Sequence, residues 1–88
     1  MSKILIIDDE KAIRNTLREI LEYESYQVDE AANGEEGLEK LEVGEYAAVL
    51  CDIKMPKMDG IEVLTRAQEI DDDIPFIMIS GNGSEFDW

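Results

Sequence analysis

The chain has 88 residues, a formal net charge of −14, one cysteine and no histidine. That charge argues against direct contact with the phosphate backbone of nucleic acids, because no basic patch could replace condensed counterions. One cysteine permits no internal disulfide, and the lack of histidine removes zinc chemistry and any Ser-His or Cys-His triad. Plentiful carboxylates remain, and they suit hard cations such as Mg²⁺ or Ca²⁺.

Ile4 to Ile7 is a β-branched-rich apolar run stopped by Asp8 and Asp9, the pattern of a strand buried on both faces. It is far too short for a membrane span or a signal-peptide core, which predicts a cytoplasmic protein with no membrane partner. From Ala12 to Glu22, Ile13, Leu17, Ile20 and Leu21 fall at helical spacing, with Arg14, Arg18 and Glu22 among the polar positions. Residues 26–31 alternate well enough for a short strand. Asn33-Gly34 then marks a turn before a helix carrying Leu38 and Leu41, closed by Gly44.

Ala47 to Cys51 reads as a third strand, ending in Asp52. Asp59 is placed to cap a third helix whose inner side would include Ile61, Leu64 and Ala67. After the polar loop Asp71-Asp72-Asp73, Pro75 opens a fourth strand, Phe76 to Ile79, ending at Ser80-Gly81. The order β-α-β-α-β-α-β predicts an α/β fold with a parallel sheet. Right-handed crossovers would bring Asp8, Asp9, Asp52 and Ser80 to one rim, at the carboxyl ends of the strands.

Carboxylates gathered at one rim repel each other unless protons or a cation neutralise them, and Mg²⁺ suits a small, open acidic site. Against this stands a plainer reading in which each aspartate merely ends a strand, or Asp9 caps the helix that follows. For Cys51, strand alternation points the side chain away from the Asp52 side, the position of a small core residue. Met55 and Met58 read as loop packing.

Taken in order, "ILIIDDE", "VLCDIKMPKMDGIEVL" and "PFIMISG" resemble the receiver domain of two-component response regulators, a flavodoxin-like fold with helices on both faces of the sheet. The resemblance covers residues 3–81. It implies that Asp52 accepts a phosphoryl group from a histidine kinase. It also implies that Asp8 and Asp9 hold Mg²⁺ with Asp52 and the backbone carbonyl of Lys54, and that Ser80 bonds the attached phosphoryl group. The chemistry of the residues agrees, since an ionised carboxylate is an established phosphoryl acceptor and has no proton to lose.

The resemblance further implies a fourth helix, a fifth strand and a fifth helix beyond this sequence, along with a lysine that pairs with the phosphoryl group and an aromatic switch residue. Residues 1–81 are accordingly expected to form a partial receiver domain. Residues 82–88 are expected to be either a native loop cut short or a tail whose Gly-Ser-Glu-Phe adjoining cloning sites would encode. Without the lysine, phosphorylation and switching would be weak or absent. An uncovered fourth strand and sheet face would seek a second copy of the chain, giving a homo-oligomer.

Effector domains follow receivers in this family, so a DNA-binding output domain in a longer parent protein is expected by analogy. A rival from the enzyme class is a Mg²⁺-dependent phosphatase or phosphotransferase with an aspartate nucleophile. Such enzymes usually carry a second aspartate two residues after the nucleophile, where this sequence has Lys54. A third reading is a structural interaction module with a vestigial acidic rim.

Overall fold

The computed structural model describes residues 2–79, arranged as β1 (Lys3–Ile7), α1 (Lys11–Tyr23), β2 (Gln27–Ala31), α2 (Gly34–Val43), β3 (Ala48–Asp52), α3 (Gly60–Ile70) and β4 (Phe76–Ile79). Ser80 and the 82–88 tail therefore lie outside the described residues. All four strands are parallel, in the order β2-β1-β3-β4. The chain steps from β1 to one side and then returns to the other. The resulting switch point lies between β1 and β3, where open α/β sheets place their ligands.

β1 is central because it is apolar on both faces. Leu5 and Ile7 join Val49 and Cys51 in a core closed by Leu38 and Leu41 of α2 and Val63 and Ala67 of α3. Ile4 and Ile6, pointing the other way by the two-residue alternation of a strand, are also buried, towards the side that carries α1.

The two ends of the core helices are capped as their sequences suggest. Asn33 Oδ1 accepts from the Glu36 amide at 2.8 Å, and Asp59 Oδ1 accepts from the Glu62 amide at 2.9 Å. Gly44 stands at the C-terminal cap of α2, its amide donating to the Lys40 carbonyl.

One expectation needs correction. Ile61 is 57 % exposed, and α3 presents Gly60, Val63 and Ala67 to the core instead of a face led by Ile61. Helix α1 is amphipathic as its spacing predicts, yet none of its residues is fully buried and Ile20 is 56 % exposed. Its attachment is largely polar. Arg14 and Arg18 reach down to Glu30, which shares with Val28 the face of β2 beneath the helix.

β4 forms one edge of the sheet, pairing with β3 through Leu50 and Ile77 among others. Ile77 remains half exposed. No helix among the described residues is long and apolar enough to cross a membrane.

Candidate functional site: an acidic pocket at the strand ends

Asp8 follows β1 directly, Asp9 begins the loop into α1, and Asp52 is the last residue of β3. The parallel pairing of Ile7 with Cys51 sets the residues that follow, Asp8 and Asp52, side by side. One carboxylate oxygen from each of Asp8, Asp9 and Asp52 lies within 4.8 Å of the others. Asp8 and Asp52 are buried, while Asp9 is exposed and forms the open side. Asp9 does not cap α1, since the capping position is held by Glu10 without a side-chain bond.

Every polar atom of Asp8 but one is engaged. Its amide donates to the Ala31 carbonyl at 3.1 Å, and its carbonyl accepts from Arg14 Nη1 at 2.6 Å. Its Oδ1 accepts from the Glu10 amide at 2.8 Å, whereas Oδ2 is buried with no partner. Burial pushes the Asp8 carboxyl above its ordinary range, and the charges of Asp52 and Asp9 push it further, against the Glu10 amide that pulls it down. A buried carboxylate with one unpartnered oxygen, clustered with two more carboxylates, has the chemistry of a hard-cation ligand, so these residues fit Mg²⁺.

The loop after Asp52 is drawn back beneath the pocket. The Lys54 amide approaches Asp52 Oδ1 at 3.4 Å, and the Gly60 amide donates to the Ile53 carbonyl at 2.8 Å. A Cβ at residue 60 would strike the Asp52 carbonyl oxygen and stand 2.9 Å from Ile53 Cα. Only glycine lets the start of α3 approach so closely. Lys57 adopts φ 69°, in the left-handed region, at the tip of this loop. Met55 is buried in the core and Met58 packs against it, as loop packing rather than ligation. Between this loop and the start of α2 lies a groove of about 240 Å³, bounded by Asp9, Gly34, Met55 and Met58.

Cys51 points into the core, its thiol donating to the Asp52 carbonyl. Burial pushes that thiol up to about 12, with Asp52 and Asp8 adding to the effect, so it stays neutral and takes no part as a nucleophile. Asp52 is thus the buried carboxylate that ends a central strand and lies beside Asp8 and the exposed Asp9. Ser80, the hydroxyl expected on the same rim, is outside the described residues.

The polar positions of α1 carry a group that helical spacing alone did not reveal. Glu30 holds Arg14 Nε at 3.0 Å and Arg18 Nε at 2.5 Å. Burial opposes the ionised form of Glu30, but the two guanidinium groups outweigh it and lower its pKa. The signal was present: a glutamate on the same strand face as Val28 demands a cation, and two arginines lie four residues apart on the preceding element to cover it.

Residues 4–88 match the response regulator receiver domain family. Among curated proteins, the transcriptional regulatory protein SrrA of Staphylococcus aureus is 43 % identical over 84 residues, covering 96 % of this chain and 34 % of SrrA. The chain thus spans about a third of the length of the curated relatives it matches. Response regulator TrrA of Thermotoga maritima, solved in complex with Mg²⁺-BeF, superposes with a TM-score of 0.89 at 39 % identity, covering 96 % of this chain and 73 % of that one. A receiver domain protein of Methanospirillum hungatei gives 0.89 at 40 % identity, covering 94 % and 66 %. TrrA in complex with the histidine kinase ThkA gives 0.87 at 39 % identity, covering 99 % and 76 %. The order of the strands, the acidic pocket at their ends and these likenesses together show that the chain belongs to the response regulator receiver domain family.

Proposed function

We propose that this chain is the phosphoacceptor part of a two-component response regulator, with Asp52 as the acceptor and a histidine kinase as the donor. The observation that carries the reading is the clustering of the Asp8, Asp9 and Asp52 carboxylates at the strand ends, with Oδ2 of Asp8 buried and unpartnered. A kinase partner is supported by the ThkA complex of the similar TrrA, and a DNA-binding output domain in a longer protein by the name of SrrA.

In this reading Asp8 and Asp9 hold Mg²⁺, with Asp52 and the backbone carbonyl of Lys54 completing the protein's share. The ion supplies neutralisation of charge on the incoming phosphoryl oxygens. An Asp52 carboxylate oxygen attacks phosphorus, an O–P bond forms, and the N–P bond to the donor imidazole breaks, its electron pair leaving with the ring nitrogen. No general base is required, because an ionised carboxylate has no proton to lose. Asp8 and Asp52 contribute fixed positions from adjacent strands, and the Lys54–Gly60 loop shields the back of the acceptor. Ser80 would bond the phosphoryl group once attached.

The phosphatase alternative fits less well, because Lys54 stands where a second aspartate would serve as acid and base. Chemistry at the site is then confined to acquiring and losing one phosphoryl group, a signalling role in the cytoplasm.

Intact-mass measurement after incubation with a small phosphodonor and Mg²⁺ tests this, on the 88-residue chain and on a full-length protein carrying it. A single phosphoryl adduct is expected in the full-length protein, abolished by Asp52→Asn, with a smaller fraction in the short chain. An adduct that survives Asp52→Asn, or none in the full-length protein, overturns the reading. So does sustained turnover of a phosphate ester.

A further inference from the structure

We infer that Arg14 is a positioning residue for the cation site: it acts through the backbone of Asp8, holding that aspartate so that its one free oxygen faces the pocket. The inference rests on the proposed Mg²⁺ site and adds to it a residue from α1 that touches neither the cation nor the acceptor.

Asp8 has four polar atoms, and the structure fixes three of them through three separate residues on two elements, β2 and α1. Its amide is tied to β2 through Ala31, Oδ1 to the start of α1 through the Glu10 amide, and its carbonyl to Arg14 Nη1 at 2.6 Å. Removing the last tie lets the peptide following Asp8 rotate. That peptide carries the Asp9 amide, and the next one carries the Glu10 amide that orients Oδ1. The direction of Oδ2 therefore depends on a guanidinium one helical turn away.

Arg14 is itself held. Its Nε donates to Glu30 Oε1 at 3.0 Å, and its side chain is only 14 % exposed. Two bonds from separate nitrogens to two fixed acceptors demand the planar fork of arginine, which an ammonium at a single point does not reproduce. Arg18 provides an internal comparison. It shares Glu30 and bonds the Val28 carbonyl at 3.1 Å, so it also fastens α1 to β2, but among the described residues it bonds Glu30, Glu22 and Val28 and not Asp8.

Outer-shell groups that orient metal ligands typically change metal affinity by about 10- to 100-fold when removed. Arg14→Lys keeps the positive charge near the carboxylates and loses the fork. A purely electrostatic contribution would survive that change, whereas positioning would not.

The test is calorimetric Mg²⁺ titration of the chain and of Arg14→Lys, Arg14→Met and Arg18→Met, with thermal melting and amide NMR spectra recorded without metal. Arg14→Lys and Arg14→Met are expected to weaken Mg²⁺ binding by about tenfold or more. In both, the metal-free Glu10 amide resonance should shift, because its acceptor has turned. Arg18→Met should lower the melting temperature while leaving Mg²⁺ affinity and the Glu10 resonance near those of the parent chain. Should Arg14→Met fail to fold, Arg14→Lys decides.

Affinity in a folded Arg14→Lys within twofold of the parent overturns the inference, as does an equal loss in Arg18→Met, which would assign the effect to general loosening of α1. A parent chain that binds no Mg²⁺ would instead refute the proposed cation site itself.

Discussion

Asp29, Tyr46 and Lys3 form a polar cluster on the sheet, apart from the pocket formed by Asp8, Asp9 and Asp52. Tyr46 donates its hydroxyl to Asp29 Oδ2 at 2.6 Å, while the Lys3 ammonium lies 5.1 Å from the ring centroid. Burial and then the Asp29 bond push the Tyr46 phenol from 10.0 up to about 12. The folded state therefore retains the phenolic proton more tightly than the unfolded one, and this stabilisation is complete below about pH 10 and lost as the pH rises towards 12. Tyr46→Phe should cost about 1 kcal/mol at neutral pH in urea melts and flatten the alkaline fall in stability. An unchanged alkaline limb in that variant would show that burial and the Asp29 bond do not hold the Tyr46 proton in solution. Legibility also differs by residue. Asp8, Asp9 and Asp52 stood out because each interrupts or ends an apolar strand. Arg14 did not, since helical periodicity labels it only as polar and says nothing of a carbonyl waiting beneath it.

At the level of elements, the strands and helices follow the apolar periods closely, because β1 and β3 have little polar content to mislead. The third helix shows where that signal fails. Ile61, Leu64 and Ala67 make an acceptable apolar stripe, but Gly60, Val63 and Ala67 form the face that is buried. The phase is set at the start of the helix by the close approach of Gly60 to Asp52 and Ile53, and a glycine carries no hydrophobic signal to announce it. Gly60→Ala should force the β3–α3 loop away from the end of β3, costing about 1–3 kcal/mol, with loss of Mg²⁺ affinity as Asp52 shifts. Denaturant melts and calorimetry on the variant measure both effects. Wild-type stability in the variant would show that the loop is not packed as described.

For the molecule as a whole, the parallel sheet has a well-covered face under α2 and α3 and a thinner one where α1 stands over β1 and β2. On the thinner side, Ile77 is 50 % exposed on the edge strand and Ile20 56 % on the helix. That distribution supports the expected homo-oligomer, in which β4 or the adjoining apolar surface meets a second copy. Light scattering across a concentration series should give a mass above that of one chain at high concentration, reduced by Ile77→Lys; a monomer throughout would refute it.

Everything at the strand ends turns on where a divalent cation binds. Besides the pocket, a second acidic cluster, Asp71, Asp72 and Asp73, is exposed on the α3–β4 loop and offers a rival location. A crystal structure of the chain grown with Mg²⁺ measures this directly. The prediction is a single ion touching Oδ2 of Asp8 and carboxylate oxygens of Asp9 and Asp52. An ion found only at residues 71–73, or density at the strand ends in which Asp8 Oδ2 turns away from it, would contradict the account.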